Sequence, residues 1–328
     1  DGDPYNDRHW LDSNLDGDAD DPGEHRWPYA YTRSSRLEVS AQFVLDTEWR
    51  GGPIFVRASG PDGIRIDPVA AVQDPMDAKR LMVVGALARD DTPFPATVKA
   101  YIEQAGFSLF TLNWQLASAR DEQNEASLWA DAGQTKNPLY LTYANPEVSK
   151  LYWTLVHLGS TNANGKDSAS EVISAIWNDF TDQKVLRVDN HQLTYWIDPT
   201  RTRAVNTLQL LADGDGECGS WAEFFRDLLR AQGITGARKI MVFNADQPID
   251  ATTGWPRPWT TSMLVKNWEF TGMGSSPGTA PYTYNPSAMP VELEDKLGIP
   301  GQGNPNPWGE FMNHFIVLLN GKYYDPSY

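Results

Sequence analysis

The sequence predicts an α+β protein in which an all-β region precedes a region that mixes helices and strands. Short runs of alternating apolar residues begin at Leu37 and are separated by glycine and proline, as in antiparallel β domains. After Pro146, amphipathic helical segments alternate with isolated strands. We therefore predict an acidic segment at 1–36, a β-sandwich domain at 37–146 and an α+β domain at 147–328.

The amino-acid composition indicates a globular protein and argues against nucleic-acid binding and membrane-spanning segments. The chain of 328 residues is 41% hydrophobic and 21% charged, which is the balance of a globular protein with a buried core. Its net charge of −16 argues against a nucleic-acid partner, because phosphates are bound through Lys and Arg. No apolar run approaches the roughly 18 residues of a membrane-spanning segment. The first residues are polar and begin at Asp1 rather than methionine, so we expect a mature or trimmed product that is secreted or at the cell surface.

The β-sandwich prediction depends on closely spaced strand patterns. Alternating apolar residues run from Leu37 to Leu45, and further strand-like runs occupy 97–102, 107–112 and 139–143. A short run at 54–56 follows the first one, and glycine and proline separate these runs at Gly51, Gly52, Gly60, Pro61 and Gly63. The pattern therefore favours a sandwich over a βαβ fold.

Two helices are predicted between the sandwich and the only cysteine. Ser168 and Glu171 stand three residues apart before an apolar periodic run, which is a capping box. A short strand at 193–197 follows, and Pro199 introduces a second helical pattern. The run Asp213-Gly214-Asp215-Gly216 is expected to end that helix.

The only cysteine of the chain stands at the start of a strongly amphipathic helix. This helix is predicted from Cys218 to Ala231, with Gly233 as its C-terminal cap. Unpaired amides at a helix N-terminus stabilise a thiolate and a developing oxyanion, so we interpret Cys218 as a nucleophile. The alternative is a small buried apolar residue. The acidic neighbours Asp213, Asp215 and Glu217 oppose a thiolate, which therefore requires a histidinium partner.

A C-terminal hairpin offers that partner. Asn320-Gly321 is a strong type I′ turn signal between an apolar strand and a return strand. If Leu319 pairs with Lys322, then His314 and Asp325 become diagonal neighbours on one face, with Cα atoms roughly 7–8 Å apart. Asp325 would then orient the imidazole of His314 and leave its other nitrogen for the thiol.

Three sequence blocks resemble the transglutaminase-like superfamily, which shares the papain-like cysteine enzyme fold. The block Gly216-Glu217-Cys218-Gly219-Ser220-Trp221-Ala222 is similar to the nucleophile helix of the family. Asn313-His314-Phe315 is similar to its histidine block, and Tyr323-Tyr324-Asp325-Pro326 to its aspartate block. The three blocks stand in the family's order, and the resemblance covers residues from about 150 to 328. It points to a secreted member of bacterial type.

The resemblance implies a papain/transglutaminase-like C-terminal domain that acts on peptide or glutamine side-chain amides. Cys218, His314 and Asp325 would form a triad that works through a thioester, with water or an amine as acceptor and without an organic cofactor. The family places an oxyanion-side group upstream of its cysteine, where Gln192 and Trp196 are the candidates. Trp221 is a candidate support within the nucleophile block. The partners implied are a protein or peptide substrate and an amine acceptor.

The segment from Asn244 to Glu310 is a departure from the family pattern. It is a long insertion rich in Gly, Pro and Trp that precedes the histidine block. A lid over the cleft and a peripheral decoration are both compatible with this composition.

The acidic N-terminal segment resembles a calcium loop. Its alternate oxygen side chains and one glycine follow the start of an EF-hand loop, but Gly23 stands where the bidentate glutamate would be. We therefore expect a looser aspartate-rich site with a structural Ca²⁺, and the alternative is a solvated acidic tail. The expected ligands are Asp12, Asn14, Asp16, Asp18 and Asp20.

A second class of function remains open at this point. In that alternative the β-sandwich binds a surface as an adhesion module, and the papain-like domain is catalytically silent. The presence of all three triad residue types favours the enzyme. The distance between the thiol and the imidazole distinguishes the two hypotheses.

Overall fold

The fold is mixed α+β: an N-terminal antiparallel sheet that curls into a half-barrel is followed by a region with four described helices and several small sheets. The computed structural model describes residues 9–11, 29–118, 129–148, 150–197, 204–243, 251–252, 262–264, 282–284, 300–305, 307, 310–311 and 313–328. None of the described helices has the length and apolar character that crossing a membrane requires.

The elements are numbered in chain order. The described strands are β1 (His9–Leu11), β2 (Ala30–Thr32), β3 (Glu38–Val44), β4 (Ile54–Ser59), β5 (Arg65–Asp74), β6 (Asp77–Leu87), β7 (Lys99–Tyr101), β8 (Phe110–Ala117), β9 (Ala130–Asn137), β10 (Leu139–Thr142), β11 (Lys150–Tyr152), β12 (Thr194–Tyr195), β13 (Asp215–Gly216), β14 (Arg238–Phe243), β15 (Ser262–Leu264), β16 (Tyr282–Tyr284), β17 (Glu310–Phe311), β18 (Asn313–Leu319) and β19 (Lys322–Tyr324). The helices are α1 (Trp153–Asn162), α2 (Ala169–Asn178), α3 (Thr207–Asp213) and α4 (Cys218–Ala231).

The first compact unit is the β unit, which comprises Pro28–Asn145 and Asn164–Asp167. Its main sheet has six antiparallel strands in the order β3-β6-β5-β4-β8-β9, and a smaller sheet has the order β2-β10-β7. Apolar side chains that alternate along both sheets meet in one core, which includes Val56, Phe110 and Leu141. Burial of these alternating side chains is the force that curls the main sheet.

The second compact unit contains all four helices and is organised around α4. Ser168 is the N-cap of α2, and its hydroxyl accepts a hydrogen bond from the Glu171 amide, so the predicted start of this helix is confirmed. The predicted helix from Cys218 to Ala231 is also confirmed. Gly233 follows α4 with φ +68° and donates its amide to the Arg230 carbonyl.

The apolar face of α4 is fully buried. Its five large apolar side chains have 0% exposure, and removing each from water is worth about 1.5–3 kcal/mol. They are Trp221, Phe224, Phe225, Leu228 and Leu229. The aromatic rings of Trp177 and Tyr324 pack edge-on against each other at 5.0 Å and cover Phe225. This packing fixes the position of α4 and therefore of its first residue, Cys218.

A three-stranded sheet, β14-β18-β19, packs against α4. The turn between β18 and β19 has positive φ at Asn320 (50°) and Gly321 (75°), as the predicted type I′ turn requires. Leu319 pairs with Lys322 in the predicted register. The ladder ends at the pair Val317 and Tyr324, one residue before Asp325. Asp325 therefore follows the strand instead of pairing with Ile316 within it.

Candidate active site

Cys218 is the first residue of α4 and is 5% exposed. The amides of the first helical turn lack carbonyl partners within the helix, so they present partial positive charge beside the thiol. Glu217 precedes the helix in an extended conformation, with φ −90° and ψ 173°. The chain therefore turns sharply into α4 at the thiol, which places the sulfur at the end of the helix rather than on its side.

Two glycines shape the approach to the thiol. Gly214 ends α3 in the left-handed region, with φ +75°, and thereby ends the helix where the sequence predicts. Gly216 lies against Ser220, and an added Cβ would collide with the Ser220 hydroxyl. Between them, Asp215 accepts hydrogen bonds from the Thr194 hydroxyl at 2.8 Å and the Ile197 amide at 3.1 Å. These contacts fix the loop that carries Cys218.

His314 and Asp325 form a buried pair next to the thiol. The Nε2 atom of His314 lies 2.7 Å from Oδ2 of Asp325, and the other carboxylate oxygen accepts the Ser327 amide at 3.1 Å. His314 is 0% and Asp325 is 5% exposed. Cys218 lies close enough to His314 to influence the pKa of the imidazole. Because Nε2 contacts Asp325, Nδ1 is the ring nitrogen left for the sulfur.

The electrostatics of this cluster favour a protonated imidazole. Burial by itself lowers the pKa of His314, but the charge of Asp325, the hydrogen bond to its carboxylate and the proximity of Cys218 outweigh that effect. The resulting pKa of His314 is raised from 6.5 to about 10. At neutral pH the protonated imidazole therefore lies beside the Asp325 carboxylate and near the Cys218 sulfur. Such an arrangement can attack a carbonyl carbon and protonate a leaving group.

The structure thus brings Cys218, His314 and Asp325 together, and it places the three support candidates differently from one another. Trp221 is fully buried, and its Nε1–H donates to the Thr194 carbonyl at 3.2 Å, so this donor is engaged inside the core. Gln192 is exposed, and its side-chain amide approaches the Gln183 carbonyl at 3.4 Å.

Trp196 lies directly beside the loop that carries the thiol. Its amide donates to the Gly216 carbonyl at 3.1 Å, and its φ of +56° is unusual for a bulky residue. Strained backbone of this kind persists only where its surroundings hold it in place. Of the three support candidates, Trp196 is the one in contact with the nucleophile loop.

A segment at residues 300–305, which no sequence pattern predicts, holds this strained turn. The Asn304 side-chain amide donates to the carbonyls of Tyr195 at 2.9 Å and Trp196 at 3.0 Å. Gln302 is 0% exposed; its carbonyl accepts the Tyr195 amide at 2.7 Å, and its amide donates to Ser327 at 2.9 Å. Both residues lie in a Gly/Pro-rich stretch without periodicity, so only the folded chain reveals their role.

Two tyrosines complete the surroundings of the triad. Strand β12 pairs in parallel with β13, which places Tyr195 opposite Gly216, two residues before the nucleophile. The Tyr195 ring lies 5.2 Å from the ring of Tyr328, which in turn lies 5.7 Å from the His314 ring. The available signal for Tyr195 was its place in the predicted strand beside Trp196.

The predicted calcium ligands at 12–20 lie outside the described residues. Within the parts of the chain that the structure describes, no three His, Cys, Asp or Glu side chains converge to hold a metal ion. Of the acidic residues near the thiol, Asp213 is exposed, whereas Asp215 turns toward Thr194 and Ile197.

Comparisons with known proteins return no relative. No protein-family model matches the chain. No curated protein and no solved structure matches it either. The function is consequently inferred from the geometry of Cys218, His314 and Asp325.

Proposed function

We propose that this protein is a transglutaminase-like cysteine enzyme that hydrolyses or transfers acyl groups from peptide or glutamine side-chain amides. The observation that carries the proposal is the position of His314, whose ring lies 2.7 Å from Asp325 and close enough to Cys218 for that residue to raise the pKa of the imidazole. Two further features support it. The sulfur lies at the N-terminus of a rigid helix, and the charges at the site favour the imidazolium.

The first chemical step forms a thioester. The Cys218 thiolate adds to the carbonyl carbon, and the carbonyl π pair moves onto oxygen. When that pair re-forms the carbonyl, the C–N bond breaks, and the departing nitrogen takes the proton from His314. The products are a released amine or ammonia, an acyl thioester on Cys218 and a neutral imidazole.

The second step returns the site to its starting state. Water or an amine attacks the thioester and gives a proton to the neutral His314. Collapse of the tetrahedral species expels the Cys218 thiolate beside the renewed imidazolium. The acid is the product with water, and a new amide is the product with an amine. Asp325 keeps the ring in one orientation throughout both steps.

The proposal extends to the architecture and setting of the protein. In it, the helical unit is a papain/transglutaminase-like domain, because α4 lies against an antiparallel sheet that carries His314. The β unit is a sandwich that accompanies it. The enzyme is secreted or at the cell surface, its N-terminal segment holds a structural Ca²⁺, and its partners are a protein or peptide substrate and an amine acceptor.

Alkylation tests the nucleophile. We expect iodoacetamide to label Cys218 readily at pH 7 and His314→Ala to slow the labelling at least tenfold, because the imidazolium stabilises the thiolate. His157→Ala is the matched control, since burial lowers the pKa of His157 and leaves that ring neutral. Equal labelling rates in wild type and His314→Ala would contradict the proposed ion pair between Cys218 and His314.

A mass measurement tests the reaction. We expect a glutamine-containing peptide, incubated with the protein and a fluorescent primary amine, to gain the amine or to become deamidated, and Cys218→Ala to abolish both changes. A peptide cleaved at its backbone would indicate peptidase activity through the same thioester. If labelling is fast but no amide in a diverse peptide mixture changes, the catalytically silent binding module is the better interpretation.

A further inference from the structure

The surroundings of the triad contain a buried hydroxyl that the triad itself does not use. Tyr195 is 0% exposed, and its hydroxyl forms no hydrogen bond of normal geometry among the described residues, although it lies next to the Tyr328 hydroxyl. A buried donor without a proper acceptor costs about 1–3 kcal/mol. Phenylalanine would fill the same space without that cost. The hydroxyl is therefore explained if a bound substrate supplies its hydrogen-bond acceptor.

The position of Tyr195 indicates where that acceptor forms. Its strand β12 lies beside β13, with Tyr195 opposite Gly216 and therefore next to the loop that carries Cys218. On its other side, the ring contacts Tyr328, which covers the ring of His314. The phenol is thus enclosed near the thiol–imidazole pair, close enough for Cys218 to influence its pKa.

The backbone around Tyr195 is held on all sides. Gln302 accepts its amide, and Asn304 donates to its carbonyl. Gly301 packs so closely that an added Cβ would lie 2.7 Å from the Tyr195 ring and 2.8 Å from the Ser327 carbonyl. A donor fixed in this way loses no conformational freedom when charge develops on a substrate, which is the requirement for electrostatic catalysis.

We propose that the Tyr195 hydroxyl is a catalytic hydrogen-bond donor to the oxyanion that forms when Cys218 attacks a carbonyl. It acts together with the amide of Cys218 at the start of α4. This assignment rests on the proposed acyl-transfer function and names the residue that stabilises its tetrahedral species. During attack the carbonyl π pair becomes an oxygen lone pair, and the phenol donates a hydrogen bond to that oxygen without transferring its proton.

The charge state of the phenol suits this role. Burial, followed by the influence of Tyr328 and Cys218, raises the pKa of Tyr195 well above its usual value. The hydroxyl therefore keeps its proton at neutral pH. It remains a donor when the thiolate forms, and it finds its best acceptor only in the tetrahedral species.

Two reactions of the same sulfur separate this role from a structural one. Acylation by p-nitrophenyl acetate passes through an oxyanion, whereas alkylation by iodoacetamide displaces iodide and forms none. We expect Tyr195→Phe to slow the p-nitrophenolate burst about 100-fold or more and to leave alkylation within about twofold. Tyr140→Phe, which removes the hydroxyl of an equally buried tyrosine in the β unit, is the matched control and should change neither rate.

Each outcome of this experiment decides something. A wild-type burst that Cys218→Ala lacks supports acyl transfer, and its absence would overturn both the proposed function and the role of Tyr195. A burst that is equally fast in Tyr195→Phe overturns the role of Tyr195 alone. A parallel loss of acylation and alkylation does so as well, because it indicates a disturbed ion pair.

A second substitution guards against poor folding of the first. 3,5-Difluorotyrosine placed at position 195 keeps the hydroxyl and makes it a stronger donor. We expect its burst rate to equal or exceed that of wild type. A burst as slow as that of Tyr195→Phe would overturn the proposal.

Discussion

Replacing Asp325 with asparagine isolates the electrostatic part of the triad. The substitution keeps the shape of the side chain and an oxygen to accept the Ser327 amide, but it removes a charge 2.7 Å from the His314 ring. Asp325 is the largest of the influences that raise the pKa of His314, whereas burial lowers it. In Asp325→Asn we therefore expect burial to prevail and the imidazole to be neutral at pH 7.

The expected fall in the alkylation rate follows from the loss of the positive charge on His314. A thiol without such a partner has a pKa of about 8.5, so roughly 3% of it is thiolate at pH 7. The alkylation rate of Asp325→Asn should then fall about 30-fold at pH 7, which corresponds to about 2 kcal/mol. The deficit should shrink as the pH approaches 9, because the unassisted thiol ionises there.

The assay is the second-order rate of iodoacetamide labelling from pH 6 to 9.5, followed by mass spectrometry. We expect a nearly flat profile for wild type and a steep rise for Asp325→Asn. Asp227→Asn is the matched control, because Asp227 is a half-buried carboxylate on α4 that accepts a hydrogen bond from the Thr207 hydroxyl instead of contacting the triad. A flat profile for Asp325→Asn, or the same rise in Asp227→Asn, would refute the electrostatic reasoning.

Two other predictions concern stability. Burial, reinforced by the nearby charge of Asp182, raises the pKa of Asp179 from 3.8 to about 6. The contribution of Asp179 to stability is therefore present below pH 4 and lost as pH rises through about 6, so Asp179→Asn should stabilise the fold by up to about 3 kcal/mol at pH 8 and by almost nothing at pH 4. Denaturant unfolding at both pH values measures this, and equal differences would contradict it. We also expect Ca²⁺ to raise the melting temperature by binding the folded state and Asp16→Ala to remove most of that rise, whereas an unchanged temperature in wild type would contradict the calcium site.

Two strands that the sequence analysis did not predict, β5 and β6, show where local residue patterns do not identify a strand. β5 and β6 form the middle of the six-stranded sheet, yet their long stretches include many exposed residues and Pro68. Few of their positions are buried, so the apolar alternation is weak. Their position depends on pairing with β3 and β4, and such pairing is not encoded within either strand.

Local signals were sufficient for the elements that carry the triad. The spacing of Trp221, Phe225 and Leu228 defines one face of α4, and that face requires only a core to cover it. The Asn320-Gly321 turn sets the register of the hairpin, because few other residue pairs accept positive φ at both positions. These two features explain why the sequence could pair His314 with Asp325.

By itself, the sequence determined the helix that begins at Cys218, the turn that returns Asp325 toward His314, and the α+β class. Each depends on residues within a few positions of one another, where periodicity and turn chemistry act directly. The tertiary structure alone decided that Tyr195 lies beside the nucleophile loop and that Asn304 holds it from 109 residues away. Such contacts arise when segments without a pattern of their own fill the space and satisfy the buried polar groups that the packed elements leave.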